Sequence, residues 1–226
     1  MTETPTAQPL GAGSQTTRLI PPVGERDHAQ GPATAAVTLV EYGDYYDQQC
    51  AAALPQIEAL RSRMGDRLRF VFRHFPASGL YLHAAEAAEA AGLQGQFWEM
   101  HEALFEHQSE LGNGHLVEYA RDLGLDMIRF LRDLAGDVST GRVRSDLAGG
   151  ARSGVQNTPT FFVNGVRQLD VWNAGLASTA ALSAQNVEEV GRWADDGAPP
   201  ALDGGSGESD VKEGNEEERD GGSHVA

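Results

Sequence analysis

The sequence is poor in the residues that bind metals and form disulfides. Cys50 is the only cysteine among the 226 residues, so no disulfide can form within this chain. A structural zinc site built from thiolates is also excluded, because it needs several cysteine ligands. The seven histidines show no spacing typical of a metal site. We therefore predict that the protein holds no metal and no other cofactor.

Positive charge and long apolar runs are scarce as well. The chain has 17 basic and 33 acidic residues, and its net charge of −16 argues against a nucleic-acid partner or an anionic membrane surface. No segment approaches the roughly 20 consecutive apolar residues of a membrane-spanning helix. Residues 1–17 contain no lysine or arginine and no apolar stretch of the kind found in export signals. These absences predict a cytoplasmic protein without a membrane span.

Both ends of the chain have a composition typical of disorder. Residues 1–17 are rich in threonine, glutamine, glycine and proline, and residues 196–226 are rich in glycine and acidic residues. Neither segment has enough apolar side chains to offset the entropy lost on folding. We predict a disordered N-terminal tail and an acidic disordered C-terminal tail on either side of one domain, residues 18–195.

The domain begins with the pattern of a strand, a helix and a second strand. Residues 37–42 form an apolar, β-rich run, and residues 68–72 form another. Between them, residues 48–64 are predicted to be helical, with Asp47 as the N-cap and a kink at Pro55. A strand, a helix and a strand in this order predict a parallel pair with a right-handed crossover.

A helical block and a hairpin complete the predicted domain. The block spans about residues 79–154, and its hydrophobic spacing places Phe97, Met100, His101, Leu104 and Phe105 on one helix face. Asn164 and Gly165 between apolar flanks indicate a two-residue hairpin turn. The predicted helices of the block and the C-terminal region cover residues 83–91, 95–107, 116–123, 126–134, 140–153 and 174–194. The order β-α-β, helical insertion, β-hairpin, α predicts an α/β protein with a thioredoxin-like fold.

Several stretches, in order, resemble the DsbA-like family of thioredoxin-fold proteins, a family of thiol:disulfide oxidoreductases. The resemblance covers roughly residues 18–185 and includes the segment VTLVEYGDY at residues 37–45. It implies a Cys-x-x-Cys motif directly after this segment, and an extended peptide or protein as the substrate. The matching stretches are residues 21–23, 26–28, 37–45, 70–76, 83–91, 95–107, 119–126 and 153–167.

The chain departs from this family at the first cysteine of the motif. The four residues DQQC place Asp47 where the attacking thiol is implied and Cys50 at the second, resolving position. A thiol at the start of a helix is activated by the helix dipole and the free N–H groups. A carboxylate suits the same position but forms no disulfide. We therefore predict that dithiol–disulfide exchange is absent.

The resemblance also implies a cis-proline at Pro159, preceded by Thr158, beside the start of the helix that carries Cys50. There the Thr158 backbone would pair with an extended peptide by strand addition. Asp47, Cys50, Thr158 and Pro159 are therefore the candidate site residues.

Three functions remain open on the sequence alone. The first is a redox activity that uses the single thiol of Cys50, for example with a peroxide or with glutathione as a mixed disulfide. The second is a redox-inactive chaperone or adaptor that binds peptides in the groove beside Pro159. The third is a structural or regulatory protein whose helical block or acidic tail docks a partner.

Overall fold

The computed structural model describes residues 18–79 and 82–168, which form a mixed sheet and a block of helices. The described strands are β1 (His28–Gln30), β2 (Val37–Gly43), β3 (Leu68–His74), β4 (Thr160–Val163) and β5 (Val166–Gln168). They lie in the order β1-β3-β2-β4-β5, with β2 at the centre. Strands β2 and β3 are parallel, as predicted, and the other three pairs are antiparallel. The thioredoxin-like architecture predicted from the sequence is therefore confirmed.

Helix α1 (Gln48–Met64) connects β2 to β3, with the predicted bounds, and runs through Pro55. It packs its buried residues Cys50, Ala53, Ile57, Leu60 and Met64 on one face of the sheet. A short 3₁₀ turn over Gly65–Arg67 leads into β3. These contacts place the start of α1 at the end of β2.

The helical block consists of α2 (Leu82–Gly92), α3 (Phe97–Glu106), α4 (Asn113–Asp122), α5 (Met127–Leu134) and α6 (Asp137–Arg152). The predicted helices of this region are confirmed, with ends shifted by a few residues. The predicted inner face of α3 is buried along its length. Alanines dominate the buried positions of α2, and their small side chains allow close contact with α3 and α6.

The predicted hairpin is formed by β4 and β5. Asn164 and Gly165 have φ angles of 48° and 78°, as a two-residue turn of this kind requires. The Asn164 side chain also accepts a hydrogen bond from the Thr38 N–H at 2.8 Å, which ties the turn to β2. The predicted helix at residues 174–194 and both predicted tails lie outside the described residues.

Strand β1 is the element that the sequence did not reveal. Its three residues pair with Phe70, Val71 and Phe72 of β3 in antiparallel register. They are half-buried and carry no apolar pattern, so the strand depends on pairing with β3. This strand also brings His28 to the helical block, where its ring stacks on that of Phe97 with the ring centroids 3.5 Å apart.

The two faces of the sheet bury different side chains of β2. Leu39 belongs to the core beneath α1, whereas Val40 and Tyr42 belong to a smaller core on the opposite face. Because side chains alternate along a strand, Glu41 points to the same face as Leu39, towards α1. The acidic side chain of Glu41 is therefore directed into the core that contains Cys50.

Candidate functional site at the start of helix α1

Asp47 is the N-cap of α1 and also joins this helix to a distant loop. Its backbone is extended (φ −90°, ψ 116°), and its Oδ1 accepts a hydrogen bond from the Gln49 N–H at 2.8 Å. Its Oδ2 accepts a hydrogen bond from the Thr158 hydroxyl at 2.6 Å. The structure thus brings Asp47 and Thr158 together, although 111 residues separate them in the sequence.

Cys50 lies beneath this cap and is closed to solvent. Its exposed fraction is 0%, and its Sγ accepts a hydrogen bond from the Asp44 N–H at 3.5 Å. Burial raises the pKa of the Cys50 thiol far above its ordinary value, and the neighbouring carboxyl groups of Glu41 and Asp47 raise it further. Because the thiolate is the nucleophilic form, a buried thiol with a raised pKa is unreactive.

The loop before β4 presents Thr158 and Pro159 next to the Asp47 cap. Both residues are half-buried, and the peptide bond between them is cis. The Thr158 side chain is engaged with Asp47, but neither its backbone N–H nor its carbonyl has a hydrogen-bond partner among the described residues. A backbone group without a partner in the protein pairs with water or with another molecule.

Glu41 is a site residue that the sequence analysis missed. Its exposed fraction is 0%, and neither carboxyl oxygen has a hydrogen-bond partner within the described part of the chain. Burial raises its pKa to about 8, and the negative charge of Asp47 raises it as well. The nearby Cys50 thiol lowers the pKa of Glu41, although its contact with the carboxyl group does not have the geometry of a hydrogen bond. The signal was an acidic residue in the otherwise apolar run VTLVEY.

Asp44 is a third carboxyl group at this position, and it organises the loop between β2 and α1. Its oxygens accept hydrogen bonds from the N–H groups of Tyr46 at 3.0 Å and Ala77 at 2.9 Å. Burial raises its pKa above the ordinary value. Glu41, Asp44 and Asp47 form no ion pair with any described residue. Any carboxyl group that is ionised at the start of α1 therefore has no cationic partner among the described residues.

A second polar cluster lies at the junction of β1, β3 and the helical block. The Nε2 atoms of His28 and His74 are each 2.9 Å from the same oxygen of Glu89. Burial alone would raise the pKa of Glu89, but the hydrogen bonds from these two histidines lower it to about 2. The sequence did not link these three residues, because His28 and His74 lie 61 and 15 positions away from Glu89.

Three side chains of this cluster have the arrangement of potential metal ligands. Ligand atoms of His74, Glu89 and Asp146 lie within 4.8 Å of one another. However, the guanidinium group of Arg142 is 3.2 Å from Asp146 and 3.9 Å from Glu89, where it would repel a cation. We interpret the cluster as a buried ion-pair network that fixes the helical block on the sheet.

Comparison with known proteins agrees with this architecture. A family model described as thioredoxin matches residues 24–183. A crystal structure of a thioredoxin-like oxidoreductase from Silicibacter pomeroyi is 25% identical and superposes with a TM-score of 0.62, covering 75% of this chain and 94% of that one. The structure of oxidised BdbD from Bacillus subtilis is 23% identical and shares the fold, with a TM-score of 0.63 and coverage of 72% and 93%.

Curated relatives match the same region at higher identity but are much longer. A protein of Salinispora arenicola named Na(+)/H(+) antiporter NhaA 1 is 43% identical over 169 residues, which is 74% of this chain and 26% of that protein. The chain thus spans about a quarter of the length of the curated relatives it matches. In the part of the chain that the structure describes, no helix is long and apolar enough to cross a bilayer.

Proposed function

Because the chain belongs to the thioredoxin family and resembles its DsbA-like members, we propose that it binds extended peptides without exchanging disulfides with them. The proposal rests on the contrast between the Cys50 thiol and the neighbouring Thr158 backbone. Cys50 is fully buried, whereas the backbone of Thr158 beside it has no partner among the described residues. The site retains the features that hold a peptide and lacks those that attack a disulfide.

The missing redox activity follows from the number of sulfur atoms. Cycling between a dithiol and a disulfide requires one thiol to form a mixed disulfide and a second thiol to resolve it. At the attacking position the chain has the Asp47 carboxylate, which accepts hydrogen bonds from Gln49 and Thr158 and holds the helix cap. The remaining thiol is in the resolving position, which cannot start the reaction.

Burial also weighs against a reaction that uses Cys50 alone. Reduction of a peroxide, or formation of a mixed disulfide with glutathione, requires an accessible thiolate. The sulfur of Cys50 is enclosed, and both Glu41 and Asp47 oppose its ionisation. The Asp44 N–H, which donates to the Cys50 sulfur, favours the thiolate, but its contribution is smaller than that of burial.

Peptide binding would use strand addition at Thr158. An extended segment gains main-chain hydrogen bonds when it pairs with an unoccupied backbone N–H and carbonyl. The hydrogen bond from Thr158 to Asp47 holds the loop against the start of α1, so the backbone is fixed before a peptide arrives. Fixing one partner in advance reduces the entropy lost on binding.

The test is to measure the binding of cysteine-free extended peptides by fluorescence anisotropy. Cys50→Ala is expected to bind such peptides as tightly as the unmodified protein, because the thiol takes no part. Thr158→Pro, which removes the backbone N–H, is expected to weaken binding about tenfold. Thr158→Val is the matched control, since it removes the hydroxyl group and keeps the backbone. Circular dichroism of each variant checks that the fold is retained.

Two results would contradict the proposal. One is that no cysteine-free peptide binds to the unmodified protein at concentrations up to the millimolar range. The other is that binding disappears in Cys50→Ala while the unmodified protein forms a mixed disulfide with its ligand. The second result would favour a redox function for the single thiol.

A further inference from the structure

The peptide site proposed above has an acidic end whose charge is not neutralised within the described residues. Asp47 is half-buried, and the partners of its carboxylate are two neutral donors, the Gln49 N–H and the Thr158 hydroxyl. No lysine, arginine or histidine of the described residues forms an ion pair with it. Each carboxylate oxygen can accept more than one hydrogen bond, so Asp47 retains acceptor capacity.

Glu41 is a second carboxyl group at the start of α1 that has no ionic partner among the described residues. Its carboxyl group is completely buried on the α1 side of β2, yet both oxygens lack a hydrogen-bond partner in residues 18–79 and 82–168. Buried polar atoms are almost always paired in folded proteins. Because Glu41 is closed to solvent and its raised pKa of about 8 keeps it protonated near neutral pH, it needs no cation, and Asp47 is the carboxylate that is left without one.

The position of Asp47 relative to the peptide follows from its bond to Thr158. Because the Thr158 hydroxyl is 2.6 Å from the Asp47 carboxylate, a peptide residue paired with the Thr158 backbone lies beside that carboxylate. Side chains of an extended peptide alternate in direction, so one of them is directed towards the start of α1. That side chain meets Asp47 as its first charged neighbour.

We propose that this site selects extended peptides that carry a lysine or arginine at the position facing the start of α1, with Asp47 as the ionic partner. This inference rests on the peptide-binding function proposed above and names its ligand class. A lysine ammonium or an arginine guanidinium supplies the donors that Asp47 can still accept. A glutamate at the same peptide position faces the carboxylate of Asp47 and is repelled.

The helix dipole opposes a cation at this position, so its strength has to be compared with the charge of Asp47. The start of a helix behaves as roughly half a positive charge, whereas the Asp47 carboxylate carries a full negative charge. Asp44 contributes further negative charge when it is ionised. The net field at the cap therefore favours a basic side chain, and we expect a preference of about tenfold, the size of one charge-assisted hydrogen bond to a half-buried carboxylate.

The experiment compares three cysteine-free peptides of one extended sequence that differ at a single central position. That position holds lysine, norleucine or glutamate, and binding is measured by calorimetry at about 50 mM salt and again at high salt. We expect the lysine peptide to bind about tenfold more tightly than the norleucine peptide, and the glutamate peptide to bind most weakly. The lysine preference is expected to shrink at high salt.

Two variants assign the preference to Asp47. Asn is a good N-cap, so Asp47→Asn keeps the helix start while it removes the charge. In this variant the affinity ratio between the lysine and norleucine peptides is expected to fall to about one. Asp66→Asn makes the same change in the exposed turn after the far end of α1 and is expected to leave the ratio unaltered.

The possible outcomes separate this inference from the function on which it rests. Equal binding of all three peptides would overturn the basic preference and leave peptide binding in place. Failure of every peptide to bind would overturn the proposed function and the inference together. If the lysine preference persists in Asp47→Asn, it arises from the overall charge of −16, and the role of Asp47 is overturned.

Discussion

Replacing Glu41 with glutamine is expected to stabilise the folded protein by about 4 kcal/mol at pH 9, because a buried carboxylate is costly. The pKa of Glu41 is about 8 in the folded state, against an ordinary value of 4.5. Between pH 4.5 and about pH 8, Glu41 keeps its proton in the folded protein, whereas the unfolded chain has released it. Stability therefore falls as the pH rises through this window, and the loss is complete above pH 8.

Urea unfolding of the unmodified protein and Glu41→Gln at pH 5 and pH 9 measures this effect. The stabilisation by Glu41→Gln is expected to be small at pH 5 and larger at pH 9 by about 4 kcal/mol. Glu106→Gln, at the exposed end of α3, is the matched control and is expected to change stability by less than about 0.5 kcal/mol. An equal gain at both pH values would show that Glu41 does not titrate between them.

Restoring the missing sulfur is expected to create the chemistry that the chain lacks. Asp47→Cys places a thiol at the N-cap of α1, three residues before Cys50, where the free N–H groups of the helix favour a thiolate. The two sulfur atoms are then in the arrangement of a Cys-x-x-Cys motif. We expect an internal disulfide to form on mild oxidation, and the variant to reduce insulin in the presence of dithiothreitol.

Intact mass and alkylation read out this change directly. Oxidised Asp47→Cys is expected to be lighter by two hydrogen atoms than its reduced form, and to resist alkylation even after denaturation. Asp47→Ser keeps the helix cap without a second sulfur atom, and is expected to remain as inactive towards insulin as the unmodified protein. Two free thiols in Asp47→Cys after oxidation would mean that the start of α1 does not have the geometry described here.

Local patterns were enough to predict most of the fold. The Asp47 cap, the apolar runs of β2 and β3 and the Asn164-Gly165 turn each depend on a few neighbouring residues. Strand β1 could not be predicted in this way, since its three residues carry no pattern of their own and acquire their structure from the register with β3.

Only part of the site could be predicted from the sequence, because the other contacts join residues that lie far apart in the chain. Asp47 and Cys50 were found because one helix carries both, and Thr158 and Pro159 were found through the family resemblance. The burial of Glu41 requires α1 to cover β2, and the pairing of His28 with Glu89 joins residues that are 61 positions apart. Such long-range contacts leave only weak signals, here an acidic residue in an apolar strand.

The alkylation rate of Cys50 in the folded protein, followed by intact mass as a function of pH, tests most directly whether the thiol is closed. Because the chain has one cysteine, every added label reports on Cys50. We predict labelling only after denaturation, as burial and the neighbouring carboxyl groups require. Rapid labelling of the folded protein, with an apparent pKa below the ordinary thiol value of about 8.5, would instead identify an active single-thiol site and contradict the redox-inactive function proposed here.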